Sequence, residues 1–104
     1  MKINYKIHNK MLLVKIEGEI DEYSGDYIRK NLEQIFLDSA PEKVVFDLSN
    51  VSFMDSTGIG IMIGRYKSLH SKKIPCYILN PSLCVEKIFS MTKLYDLMPK
   101  IEQC

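Results

Sequence analysis

Residues 53–60 read FMDSTGIG, and several of them could do chemistry: the carboxylate of Asp55, the hydroxyls of Ser56 and Thr57, and the bare backbone of Gly58 and Gly60. Three chemistries compete for this pattern. A hydrolase nucleophile elbow needs G-x-S-x-G, because small residues on both sides of the serine let the strained turn form, and here Met54 occupies the first glycine position. A serine nucleophile also needs a base within hydrogen-bond reach. The two histidines are His8, in a predicted strand, and His70, which about 14 residues of helix would place roughly 20 Å from Ser56. Both read as surface residues, and serine hydrolysis falls away. Nucleotide binding is the second chemistry, since Gly58, Gly60 and Gly64 follow a strand and open a helix. Their spacing is G-x-G-x-x-x-G, with neither a G-K-[ST] phosphate loop nor the other half of a dinucleotide domain. The third chemistry is modification: a phosphate on Ser56 at a helix start would be tolerated by the macrodipole and by free N–H groups. It would change the surface without changing the fold.

The elements that must position these residues follow from periodicity. Ile3 to Ile20 forms two period-2 segments around the turn-prone pair Asn9 and Lys10, a β-hairpin. A helix is predicted from about Ser24 to Leu37, with Tyr27, Ile28, Leu32, Ile35 and Phe36 inward. Pro41 ends it, and Val44, Val45, Phe46 and Leu48 form a run apolar enough for a central strand. After FMDSTGIG, the stripe Ile59, Met62, Ile63, Tyr66 and Leu69 predicts a helix to about His70. A strand around Cys76–Leu79 ends at Pro81, and Ser82 is placed to cap a last helix that turns Leu83, Val85, Ile88, Phe89 and Met91 inward. The residues from Lys93 onward carry no clear pattern. The order β-β-α-β-α-β-α predicts an α/β fold, a mixed sheet of about four to five strands with helices packed on it.

At the start of the helix after Met54, the first turn leaves N–H groups without partners, so an oxygen belongs there. Asp55 can cap while Ser56 merely begins the helix. That reading leaves the glycines unexplained, because an interior glycine costs roughly 1 kcal/mol relative to alanine. Close backbone approach compensates, either to the sheet beneath or to a partner above.

Composition bounds the rest. The 104 residues suit one domain, residues 1–104. Lys and Arg number 14 against 13 Asp and Glu, a net charge of +1 that lacks the basic excess of a nucleic-acid binder. Cys76, Cys84 and Cys104 have no zinc-site spacing and read as reduced thiols of a cytoplasmic protein. No apolar run nears the roughly 20 residues that cross a bilayer, so no direct membrane insertion is expected. Nor does any constellation call for a metal or other cofactor, and no catalytic residue is assigned.

The segment VVFDLSNVSFMDSTGIGIMIGRYKSL, residues 44–69, resembles the signature of the anti-sigma factor antagonists, whose fold is called the STAS domain. GEID at residues 18–21 is similar to the G-E-[LI]-D of the same family, and G-R-Y-K at Gly64 to Lys67 looks most like its sporulation branch, which acts on the anti-sigma factor of sigma-F. The resemblance implies a binding protein without catalysis of its own. Its unphosphorylated form would bind an anti-sigma factor with serine kinase activity and release the sigma factor. That kinase would then phosphorylate Ser56 and end the interaction, and a PP2C-like serine phosphatase would restore it. By the same resemblance Asp55 flanks the phosphoacceptor, Thr57 and Gly58 complete the turn, and Asp21 lies in the partner-facing region. Gly60 is placed with them at the contact surface. The alternative is a STAS regulatory subunit of a transporter or a stress-signalling complex.

Overall fold

Asn9 and Lys10 both take positive φ, 50° and 64°, the backbone that a two-residue hairpin turn requires. They join β1, Lys2–His8, to β2, Met11–Ile20, in unbroken antiparallel register. The computed structural model describes residues 1–102. After the hairpin come α1 (Gly25–Ser39), β3 (Lys43–Asp47), β4 (Val51–Met54), α2 (Ser56–His70), β5 (Cys76–Leu79), α3 (Leu83–Thr92), a short 3-10 helix (Leu94–Asp96) and β6 (Lys100–Ile101).

The sheet runs β1-β2-β3-β5-β6, with β4 added to β2. Every pairing except the hairpin is parallel, because helices carry the chain back across the sheet between β2, β3 and β5. β2 is long enough to serve in two places: Met11–Lys15 pairs with β3, and Gly18–Ile20 pairs with β4 across a register shift between Gly18 and Glu19. Among the described residues the sheet therefore has six strands, against the four or five expected. The two extra strands are short, and only pairing distinguishes them from loop: β4 lies in the lead-in to Asp55, and β6 in the tail that carries no pattern.

β3 is central, as its composition predicts, with Val44, Val45 and Phe46 fully buried. Leu12, Val14 and Ile16 of β2 share one core with Ile28, Leu32 and Phe36 of α1, Ile61 and Met62 of α2, and Val85 and Phe89 of α3. Phe36 meets Phe46 edge to face, with centroids 6.4 Å apart at 70°, a favoured aromatic geometry.

Three inward assignments are corrected. Tyr27 is half exposed, while Leu83 and Met91 are 89% and 74% exposed. Tyr27 lies beside the stripe Gly25, Ile28, Leu32, Ile35 and Phe36 rather than on it, and the α3 stripe is carried by Val85 and Phe89. α2 is also rotated by about one residue from the predicted stripe, burying Gly58, Ile61, Met62, Arg65 and Leu69. A glycine and an arginine occupy inward positions there, so hydrophobicity alone pointed to the neighbouring face.

Candidate functional site

Ile20 of β2 and Met54 of β4 are in register in two parallel strands. Asp21 and Asp55, each the next residue, therefore leave the same end of the sheet side by side, one toward α1 and one into α2. This junction holds the predicted site.

Asp55 is the N-cap of α2. Its backbone is extended (φ −112°, ψ −170°), its side chain accepts from the Gly58 amide at 2.9 Å, and its carbonyl accepts from the Ile59 amide at 3.0 Å. Ser56 and Thr57 are the first two helical residues and both are exposed. Among the described residues neither hydroxyl is held by another group. With Asp55 filling the cap, Ser56 has no capping duty.

Gly58 departs from the partner-facing place expected for it. It is buried, and a Cβ built on it would collide with the Ile20 carbonyl oxygen and come within 2.8 Å of Met54 Cγ. Its role is to let α2 start against the end of β2, which settles the sheet as the surface approached at this position. Gly60 is the opposite case: it is exposed, with open space where a Cβ would stand. Gly60 is thus a bare patch one turn beyond Ser56.

Asp21 is buried and its carboxylate is occupied. Oδ1 accepts from the Tyr23 and Ser24 amides, both at 3.0 Å, and the Ser24 hydroxyl donates at 2.7 Å to the Glu19 carbonyl while accepting from the Asp21 amide at 3.1 Å. The Ser24 amide, aided by the Ser24 hydroxyl and the Tyr23 amide, holds the Asp21 carboxyl below its ordinary range against the opposing effect of burial. Asp21 therefore shapes the loop beside Ser56 through Oδ1. Ser24 begins α1 by position, but its side chain closes this turn and gives α1 no cap. Ser82 likewise accepts the Glu86 amide through its carbonyl at 2.8 Å, while its hydroxyl sits 3.3 Å from Cys84 Sγ.

What the Asp21 turn exposes is Tyr23, at 88%. Phe53, immediately before Met54, is also exposed. Its exposure has no signature in the sequence, because a four-residue strand with Val51 and Met54 inward and Ser52 and Phe53 outward lacks clean alternation.

Arg65 of the GRYK segment does not reach this surface. It is buried between α2 and α1, with Nε 2.7 Å from Glu33 Oε2, and Glu33 Oε1 accepts from the Ser68 hydroxyl at 2.9 Å. Burial lowers the proton affinity of the guanidinium, and Glu33 opposes that shift. The opposite charge one helix away was the missing signal, since Glu33 looks like any other charged residue of an amphipathic helix. The histidines stay apart from the site, both exposed, with His70 stacked on Tyr66 at 5.3 Å. Among the described residues no group of three or more His, Cys, Asp or Glu could hold a metal ion.

A mixed sheet whose strand ends converge under a capped helix, with an exposed serine at the first helical position, defines a small α/β module. The chain belongs to the STAS family: the STAS domain model matches residues 2–103. Curated relatives are antagonists of anti-sigma factors. The anti-sigma F factor antagonist of Paenibacillus polymyxa is 29% identical over 95% of this chain and 85% of its own length. The anti-sigma-B factor antagonist of Staphylococcus aureus is 34% identical over 94% and 90%. Among solved structures, the unphosphorylated form of the anti-sigma factor antagonist SpoIIAA matches 97% of this chain and 89% of its own, with 24% identity and a TM-score of 0.78. The phosphorylated form of the Bacillus SpoIIAA matches with a TM-score of 0.73 at 24% identity, covering 97% and 92% of the two chains. These structural likenesses fix the fold as that of the STAS domain. No helix among the described residues is long and apolar enough to cross a membrane.

Proposed function

We propose that this protein is a phosphorylation-switched anti-sigma factor antagonist. Its unphosphorylated form binds an anti-sigma factor with serine kinase activity and frees the sigma factor, Ser56 is the phosphoacceptor, and a PP2C-like phosphatase resets the switch. The observation that carries this reading is the unengaged Ser56 hydroxyl at the first position of α2, with the cap already supplied by Asp55. Phosphate there breaks no internal hydrogen bond. It adds about −1.5 to −2 charges beside first-turn amides that lack intrahelical acceptors. The fold tolerates the charge and the contact surface does not, because a partner lying over Gly60 would have to bury a dianion, at several kcal/mol if unpaired.

On this reading the contact surface is Ser56, Thr57 and Gly60, flanked by Tyr23 and Phe53. Asp21, Asp55 and Gly58 act from beneath by fixing its shape. The GRYK segment supports sigma-F as the sigma factor served, whereas the curated relatives span the sigma-F and sigma-B antagonists. Incubation with an anti-sigma factor that has serine kinase activity and with ATP, followed by peptide mass spectrometry, should place phosphate on Ser56. Phosphate on Thr57 alone, or none, overturns the site. In titration, Ser56→Ala should bind the unphosphorylated-state partner like wild type, and Ser56→Asp should bind about tenfold more weakly or worse, a loss of roughly 1.4 kcal/mol. Equal affinities refute the switch.

A further inference from the structure

The loop between β2 and α1, residues 21–24, is closed by short polar contacts. Asp21 Oδ1 accepts from the Tyr23 and Ser24 amides, while Ser24 Oγ accepts from the Asp21 amide at 3.1 Å and donates at 2.7 Å to the Glu19 carbonyl. The backbone around Tyr23 is thereby tied to the end of β2 on one side and to α1 on the other, where the Ser24 carbonyl accepts from the Ile28 amide at 3.0 Å. Ser24 stands at the N-cap position of α1, where a serine hydroxyl ordinarily accepts from a first-turn amide, and it makes no such bond. The helix forgoes that stabilisation and the turn receives it. Departures from local preference of this kind are expected where a site must be held in one shape. The side chain held out by the turn is Tyr23, the most exposed aromatic among the described residues. A single exposed apolar side chain is ordinary. Tyr23 differs in the number of bonds that fix the backbone beneath it.

We propose that Tyr23 is the anchor residue for the anti-sigma factor and that Ser24 is its positioning residue, locking the turn so that the ring is presented in place before the partner arrives. Tyrosine is among the residues that carry most of the energy at interfaces, because it brings a large, stiff, amphipathic surface on two side-chain torsions. Tyr23 stands within reach of a partner seated over Ser56: Ile20 and Met54 are in register, and Tyr23 follows the first by three residues as Ser56 follows the second by two. With Tyr27, Gly18, Glu19 and Asp21 it lines an open depression of about 540 Å³, which gives a partner's side chain room against the ring. Tyr27 and Phe53 are each about half buried and have less surface left to cover. A turn already ordered loses little further conformational freedom on binding, and affinity rises by the cost so avoided. The inference rests on the reading of this protein as an antagonist that binds an anti-sigma factor, and it adds which side chain grips the partner and what holds that side chain.

Titration of the full chain and its variants with an anti-sigma factor that has serine kinase activity tests it, with circular dichroism to show that each variant is folded. Tyr23→Ala should weaken binding about 30-fold or more. Ser24→Ala should weaken it roughly 3- to 10-fold, and Ser24→Thr, which keeps the hydroxyl, should recover most of that loss. In the Tyr23→Ala background, Ser24→Ala should change affinity by less than about twofold, since the turn then has no ring to place. A Ser24 that only supports the fold would lower the melting temperature and leave the affinity of the folded protein unchanged, or would weaken both backgrounds alike, and either result overturns its positioning role. Should Ser24→Ala fail to fold, Ser24→Cys, whose thiol is a poorer hydrogen-bonding group, takes its place in the cycle. Ser56→Asp separates this inference from the switch. Weak binding by Ser56→Asp together with wild-type binding by Tyr23→Ala overturns the anchor and leaves the switch standing. The converse supports the anchor and refutes the switch, and a wild type that does not bind overturns both.

Discussion

Two glycines two residues apart on α2 should respond to the same substitution with opposite sign. In Gly58→Ala the new methyl meets the Ile20 carbonyl, which is backbone, and Met54 Cγ at 2.8 Å. Overpacking of this kind costs about 1–3 kcal/mol, and a backbone obstacle puts it near the upper end because the helix start itself must move. The gain in helix propensity returns about 1 kcal/mol, leaving a net loss of about 2 kcal/mol. In Gly60→Ala the methyl enters open space, so only the propensity gain and the reduced entropy of the unfolded chain remain, a net gain of about 0.5–1 kcal/mol. For a domain of this size each kcal/mol moves the melting temperature by about 4–8 °C, so the variants should melt roughly 10–24 °C apart, with wild type between them. Thermal unfolding followed by circular dichroism, with denaturant midpoints as a check, reads this directly. Gly58→Ala as stable as wild type, or Gly60→Ala less stable, would show that the helix start does not rest on β2 as described. Gly60→Leu extends the logic to function: it should fold, and it should bind the kinase poorly if the bare patch is contact surface. Normal binding by a folded Gly60→Leu would move the partner elsewhere.

Three further outcomes follow from named contacts. Asp55→Ala removes the cap on Gly58 and should lower stability by about 1 kcal/mol in denaturant titration, with Asp55→Asn recovering most of it. Asp21 has a folded-state pKa below its unfolded value of about 3.9. Its contribution is therefore present above about pH 4 and lost as pH falls through the lower folded value. The stability gap between wild type and Asp21→Asn should be open at pH 6 and close on acidification, and a gap independent of pH refutes the turn as the cause. Burial pushes the Cys76 thiol up to about 11, so at pH 8 a thiol reagent should label partly buried Cys84 before Cys76, as peptide mapping of the labelled chain would show.

The parts of the fold legible in the sequence are those whose signal is local. Alternation gave the hairpin, the apolar run gave β3, and the Asp-Ser-Thr-Gly turn gave the start of α2 with Asp55 as its cap. What escaped depends on partners distant along the chain. β4 and β6 are strands only because β2 and β5 lie beside them. The rotation of α2 depends on Ile20, 38 positions before Gly58, and burial of Arg65 depends on Glu33. The site shows the same division. The places of Asp55, Ser56 and Thr57 at the start of α2 could be read from their own neighbourhood, whereas the inward place of Gly58 and the exposure of Phe53 required the sheet.

Arg65 and Glu33 also explain how the exposed face of α2 can be bare. A helix that carries Gly58, Gly60 and Gly64 gives up roughly 3 kcal/mol of intrinsic propensity relative to alanine, so packing must hold it in place. Part of that hold is the core stripe Ile61, Met62 and Leu69, and part is the tie from Arg65 to α1. Removing one partner leaves a charge stranded. Arg65 is buried while Glu33 is about one-third exposed, so loss of Glu33 should cost less than the 3–5 kcal/mol of a fully buried pair, about 1–3 kcal/mol. Glu33→Ala should therefore be less stable than Glu33→Ala combined with Arg65→Met, which replaces the stranded cation with an apolar side chain of similar length. A double variant no more stable than Glu33→Ala alone would mean that Arg65 is not confined between the helices. If the order holds, the tie supports α2 from beneath, so the outward side around Ser56 and Gly60 can stay bare.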